Sequence, residues 1–158
     1  MIHARHGRRP RARGQALAEF ALVIPLILLL FMAFFDFARA IYAYTAVSNA
    51  AREGGRTSIV NQYAADIESR ASVQATALGI PASCPGAGLP GVCVSYAPPD
   101  ATVTCPAIAC LASVTVTYRF APLTPIISTI WPSITLASTT KVPVESVCTT
   151  GPNSCPIP

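Results

Sequence analysis

A glycine, a glutamate five residues later and an aromatic beside that glutamate open the longest apolar stretch of the chain: Gly14-Gln15-Ala16-Leu17-Ala18-Glu19-Phe20. A carboxylate in a membrane helix is costly; insertion scales put Asp, Lys or Arg at a helix centre at about +2.5 to 3.5 kcal/mol, and less towards an end. Such a group persists best where positive charge meets it. Hydrolysis of the Gly14–Gln15 peptide bond would create that charge, an α-amine on Gln15, to meet Glu19 of the same helix or of a neighbouring subunit. The plainer reading is a Glu19 that sits at the boundary of the span and snorkels to water. The other reactive groups are six cysteines, Cys84, Cys93, Cys105, Cys110, Cys148 and Cys155, all in the C-terminal half. There is no C-x-x-C pair, and the only histidines, His3 and His6, lie at the N-terminus, so no metal site is expected. The same shortage of histidine removes Ser-His-Asp and Cys-His arrangements, and no glycine-rich phosphate loop is present. Asp66 and Glu68 are near neighbours that nothing marks as a catalytic pair. The inventory predicts no enzyme, no cofactor and no small-molecule substrate. It predicts instead a chain on which an enzyme acts.

The elements that must position these groups follow from composition. The 158 residues leave room for one small domain and an anchor, and only 11% of them are charged where a soluble domain carries about 25%. Of the formal net charge of +4, Arg5, Arg8, Arg9, Arg11 and Arg13 supply +5, so the rest of the chain sums to −1. A basic arm directly before an apolar span reads as an orientation signal that stays in the cytoplasm, and not as a nucleic-acid site. From Ala16 to Phe35 only Glu19 is ionisable; at 1.5 Å per residue those residues span about 30 Å, the thickness of a bilayer's hydrocarbon core. Pro25 lies inside this stretch, where membrane helices tolerate it as a kink. The expected topology is a membrane crossed once, with the N-terminus cytoplasmic and the C-terminal domain on the far side.

Helical character continues past the span, since neither Pro nor Gly occurs between Leu26 and Glu53. Asp36 and Arg39 are placed to pair at i,i+3 on the first turn outside. Phe37, Ile41, Tyr44, Val47 and Ala51 recur at helical steps and make a stripe down one face. The rod is expected to run from about Gln15 to Glu53, within a segment 15–58, with Gly54-Gly55 as its stop. Arg52 and Arg56 lie four apart, and a Glu53–Arg56 pair on a solvated helix end is the reading preferred over a partner site. A second helix is expected over about Gln62 to Leu78, in a segment 59–80, ending before Gly79 and Pro81. Beyond residue 80 lie thirteen of the fifteen prolines. There Ser113–Phe120 alternates strictly, with Val114, Val116, Tyr118 and Phe120 on one face, and predicts a half-buried strand. Ile134–Val144 and Val92–Tyr96 are the other two strands. The fold class expected is α+β: a long N-terminal transmembrane helix, a second helix and a small antiparallel, disulfide-bearing β domain over 81–158.

Cysteines confined to one side of a membrane anchor suit an oxidising compartment. Six cysteines allow fifteen pairings. The local scheme, Cys84–Cys93, Cys105–Cys110 and Cys148–Cys155, closes the shortest loops; a bridge between distant strands such as Cys110–Cys148 is its rival.

Glycine, four residues, Glu-Phe and then an apolar helix resembles the N-terminus of prepilins and pseudopilins. Among these the chain is most similar to the TadE-like proteins of the tight-adherence pilus system. The likeness runs from Gly14 through Glu19 and Phe20 to Pro25, then through Phe35–Tyr42 and Ala50–Arg56. It extends more loosely to Val114–Phe120, Pro122-Leu123-Thr124-Pro125, Ile134-Thr135-Leu136 and Val144-Glu145. The Pro- and Cys-bearing stretch from about Pro81 to Cys110 departs from it. The resemblance implies a leader of residues 1–14 removed by a prepilin peptidase after Gly14, and a minor pseudopilin that works with other pilins in pilus biogenesis. It also implies that Glu19 assists subunit registration, with Phe20 and Pro25 in the same assembly segment. Two other readings stay open. One is a secreted protein cut at Ala38-Arg39-Ala40, which resembles a signal-peptidase site. The other is a membrane-tethered binding domain unrelated to pili.

Overall fold

The computed structural model describes residues 11–86 and 88–148. The arginines Arg5, Arg8 and Arg9, both histidines and Cys155 lie outside the described residues. The architecture is α+β: a long apolar helix, a second helix and a three-stranded antiparallel sheet. The elements run α1 (Arg11–Ser58), α2 (Ala64–Gln74), a 3-10 turn (Thr76–Leu78), β1 (Gly91–Ala97), β2 (Leu111–Phe120), α3 (Pro125–Ile130) and β3 (Ile134–Pro143).

Helix α1 has 48 residues and is about 72 Å long at the standard rise. It passes through two environments. From Gly14 to Met32 every residue is exposed. From Ala33 onward one face turns inward against the sheet and α2. That inward face shares with the stripe read in the sequence only Val47 and Ala51. Phe37, Ile41 and Tyr44 are exposed, whereas Asp36, Ala43, Val47, Ala50, Ala51, Gly54, Gly55 and Ser58 are buried. The reason is distance: a single helix lying across a sheet approaches closely only along a row of small side chains, so the large residues rotate outward.

The Gly54-Gly55 pair also differs from expectation. It does not stop α1, which continues to Ser58. A Cβ on Gly54 would come within 2.8 Å of Val114 Cγ1 and 3.2 Å of Ala71 Cβ; one on Gly55 would come within 2.7 Å of Thr140 Cγ2. These glycines serve close approach, where helix, sheet and second helix converge. The left-handed glycine is instead Gly79, at φ 63°, closing the 3-10 turn that follows α2. The second helix therefore starts and ends inside the expected 62–78, with its last turn tightened.

The sheet order is β1-β2-β3, all antiparallel. Central β2 buries its inward face most deeply: Ala112, Val114, Val116 and Phe120 are buried and Tyr118 is half-buried. Val114 pairs with Val94 on one side and Thr140 on the other. Its inward face meets Val47, Ala50 and Ala51 of α1, Ile67, Ala71 and Ala75 beside α2, and Val92 of β1 in one core cluster. Cys110, Ala112 and Val144 form a smaller cluster at the other end of the sheet. The chain after β3 is fastened back to the α1–α2 junction. The backbones of Gln62 and Cys148 are joined at 3.0 Å, Cys148 N–H donates to Gln62 Oε1 at 2.7 Å, and Gln62 Nε2 donates to Ser58 O at 3.0 Å.

Gly54→Ala tests the close approach. Alanine gains about 1 kcal/mol of helix propensity, but overpacking between two fully buried neighbours costs about 1–3 kcal/mol. The expected outcome is a lower melting temperature for the detergent-solubilised protein. A higher one would mean that β2 can move aside.

Candidate functional site

The residues singled out in the sequence fall into two groups that the structure keeps apart. The first occupies the base of α1. Gln15 Nε2 donates a hydrogen bond to Glu19 Oε1 at 3.3 Å, an i,i+4 contact on an exposed surface. Phe20 is exposed, and Pro25 lies within a helix that continues on both sides of it. A Cβ on Gly14 would meet nothing within 4 Å. Nothing in the packing of this chain requires a glycine there, in contrast to Gly54 and Gly55. The whole segment carries the exposed apolar side chains Leu17, Phe20, Leu22, Leu26, Leu28, Leu30 and Phe31, with no covering element. One helix, Gly14–Ser58, is long and apolar enough to cross a membrane, compatible with single-pass anchoring.

The second group holds the Pro/Cys region together. Cys84 is bonded to Cys93, and Cys105 to Cys110. Cys148 is disulfide-bonded too, and its expected partner Cys155 lies outside the described residues. The first bridge pins the entry to β1, where Ser83 O also accepts a hydrogen bond from Val92 N–H at 3.0 Å. The second closes the turn that leads into β2. Both are remote in sequence and in structure from Gly14 and Glu19. Glu53 and Arg56 stand 3.9 Å apart at the end of α1, the arginine more exposed than the glutamate. Among the described residues no group of three or more His, Cys, Asp or Glu side chains is placed to hold a metal ion.

Between the two groups lies a site that sequence reasoning credited only with an ion pair. Asp36 is the first ionisable residue after the apolar stretch, and it is buried. Arg39 does approach it, at 3.4 Å. The principal partners, however, come from 87 and 88 residues away: Leu123 N–H at 3.0 Å, Thr124 N–H at 2.7 Å and the Thr124 hydroxyl at 2.6 Å. Desolvation raises the Asp36 pKa, but the Thr124 hydroxyl, the Leu123 and Thr124 amides and the Arg39 charge outweigh it and hold the carboxyl below its ordinary value. Arg39 in turn stacks over the Phe120 ring, 5.5 Å from its centroid. Thr124 holds the N-cap position of α3 but spends its hydroxyl on Asp36 and makes no side-chain cap bond, and Pro125 fits the first helical position because its missing N–H needs no partner there. Helix α3 is not among the elements expected from the sequence, where the Thr-Pro pair is the one signal that could have marked it. A six-residue helix is too short for periodicity to reveal.

The family model described as TadE-like protein matches residues 14–56, which takes in Gly14, Glu19, Phe20, Pro25 and Asp36. The resemblance read in the sequence and this match name the same family over the same helix. No curated protein and no solved structure matches the chain.

Removing the Asp36 carboxylate strands two amides and a hydroxyl. Asp36→Ala is expected to cost about 3 kcal/mol and to abolish amide-exchange protection at Leu123 and Thr124. The pH dependence has a definite sign. Because the folded pKa is lowered, the contribution is complete above the unfolded value near 4 and is lost as pH falls through the folded value. Acidification below about pH 4 should free the Leu123 amide in the wild type and change nothing further in Asp36→Ala.

Proposed function

We propose that the protein is a membrane-anchored minor pseudopilin of the TadE-like kind, matured by a prepilin peptidase and acting in assembly of a tight-adherence pilus. The observation that carries this reading is the Gly14…Glu19-Phe20 arrangement at the base of the apolar part of α1 that is exposed on every side, Gly14 to Met32, inside the segment that matches the TadE-like family. Residues 1–14 are then the leader, 15–58 the anchor and its extension, 59–80 the second helical segment and 81–158 the exported domain. The N-terminus faces the cytoplasm, because the arginine-rich arm stays there. Partners are the bilayer, the peptidase and other pilins.

The chemistry is peptide hydrolysis carried out on this chain by another protein. Attack of water on the Gly14 carbonyl leaves a carboxylate on the released leader and an amine on Gln15. Gly14 lies near the start of α1 with nothing within 4 Å of its Cβ position, so no packed side chain shields it, and cleavage requires that end of the helix to unwind. Once Gln15 carries the amine, Glu19 supplies the opposite charge. Within one helix the Gln15 side chain already reaches it; between subunits the same pairing would set the axial register of neighbouring anchors.

The secreted reading fits less well. Cleavage after Ala38-Arg39-Ala40 would discard Asp36 and Arg39, leaving the Leu123 and Thr124 amides and the Phe120 ring without their partners.

Two outcomes test the proposal. Intact-mass analysis from cells carrying a prepilin peptidase is expected to give a mature chain starting at Gln15, and Gly14→Leu is expected to leave the longer precursor in the membrane. A mature start at Ile41 would favour secretion, and an unprocessed chain a tethered binding domain. Glu19→Ala is expected to insert at least as well as wild type, since it removes a charge from the span, yet to lose pilus assembly. Normal pilus numbers with Glu19→Ala would refute the registration role.

A further inference from the structure

The segment that Asp36 holds has a surface of its own. From Ala121 to Thr140 the chain contains no ionisable side chain. Within it Leu123, Ile126, Ile130, Trp131 and Ile134 are exposed, the first at 70%. Leu123, Ile126 and Ile130 follow steps of three and four residues along one side of α3. Ile127 turns the other way, with Trp131 and Ile134, into an open groove of about 340 Å³ whose opposite wall is Ala33, Asp36 and Phe37 of α1.

Position along α1 says what meets this surface. Ala33 is the first residue of α1 that the rest of the chain covers. Twenty residues from Ala16 to Phe35 span about 30 Å, one hydrocarbon core. The underside of the folded domain, formed by α3 and its flanks, therefore stands at the depth where acyl chains give way to headgroups. Several of its polar groups are provided for without water. The Leu123 and Thr124 amides and the Thr124 hydroxyl are taken by Asp36. The Ser128 and Thr129 hydroxyls bond to Pro125 O at 3.0 and 2.7 Å. Pro122, Pro125 and Pro132 have no N–H to satisfy. A segment meant for water has no need of this; one meant for the edge of a bilayer does. Tryptophan is the residue that favours that boundary.

We infer that residues 121–134 are a second, interfacial membrane contact: Leu123, Ile126 and Ile130 insert at the boundary of acyl chains and headgroups, and Trp131 meets the same boundary at the open mouth of the groove between α3 and α1, all held at that depth by Asp36. The inference rests on the reading of α1 as a membrane span. It adds that the exported domain lies on the lipid surface in a fixed orientation and does not swing freely on its helix.

Trp131 is the only tryptophan in the chain and so reports its own location. The full-length protein is reconstituted in phosphatidylcholine vesicles, with lipids brominated either just below the glycerol or near the bilayer centre. Expected are blue-shifted emission, loss of most intensity with the shallow bromines, little loss with the deep ones, and protection from aqueous iodide. Ile126→Asp together with Ile130→Asp, both at exposed positions, should restore iodide access while leaving far-UV circular dichroism unchanged. Leu26→Trp in a Trp131→Phe background reports on the span separately. If the Leu26→Trp reporter is quenched by the deep bromines while Trp131 of the wild type is open to iodide and untouched by bromolipid, the interfacial contact is refuted and the anchor stands. If neither is quenched, the anchor fails and the contact with it. Trp131 shielded from iodide but not quenched by bromolipid would mean that protein covers this face, which also overturns the inference.

Discussion

The Asp36 carboxylate is the fixed point of this structure. It stands at the end of an apolar stretch, buried, where an unpaired charge would be intolerable. It is tolerated because two amides, a hydroxyl and a guanidinium converge on it. Three of these four come from the loop between β2 and α3, so satisfying the charge obliges the far end of the chain to return to α1. Without that return the sheet would still pair internally, but its lower end would have no anchor on the helix. The arrangement also places Arg39 over Phe120, the last residue of the central strand. One side chain thus sets both the height of the sheet along the rod and the position of α3.

Above this point the constraint is steric. A three-stranded sheet is too small to make a core by itself and must borrow one from the helix. Ala43, Val47, Ala50, Ala51, Gly54 and Gly55 give α1 a face flat enough for β2 and β3 to lie against it. Val114 closes down onto Gly54, and α2 completes the enclosure through Ile67 and Ala71. Large residues on that face would hold the sheet off and open voids. The outward Phe37, Ile41, Tyr42 and Tyr44 follow from the same requirement. In a chain proposed to assemble beside other helices, those outward residues remain available to neighbours.

The cysteines act on the parts that lack such a core. The loop before β1 is rich in proline and glycine and the turn before β2 in proline, with few buried apolar groups to order them. Cys84–Cys93 and Cys105–Cys110 close short loops there, and each such bridge removes freedom mainly from the unfolded chain. The last segment is tied by hydrogen bonds as well, through the buried Gln62. Stability in this protein is therefore divided: packing on the helix side of the sheet, covalent and polar ties beyond it.

Local pattern sufficed wherever a feature is decided by neighbours in sequence. The apolar rod, the alternation of β2, the positions of β1 and β3 and the placing of the second helix are of this kind. The Gly14…Glu19-Phe20 opening is local as well, and the role proposed for it rests on that spacing. Two disulfides join nearest cysteines, which short loops favour. What sequence left undecided depends on groups that meet only after folding. Gly54-Gly55 reads as a helix stop because glycine commonly ends helices; only the approach of Val114, Ala71 and Thr140 makes it an interior contact. Of the stripe Phe37, Ile41, Tyr44, Val47 and Ala51 only the last two are buried, because hydrophobicity alone does not report that the partner surface demands small residues. Asp36 and Arg39 were legible as a pair at i,i+3, whereas a carboxylate bond to an amide 88 residues away leaves no periodic trace. Hydrogen bonds across such separations are fixed by where the sheet settles on the helix, and tertiary structure alone decides that.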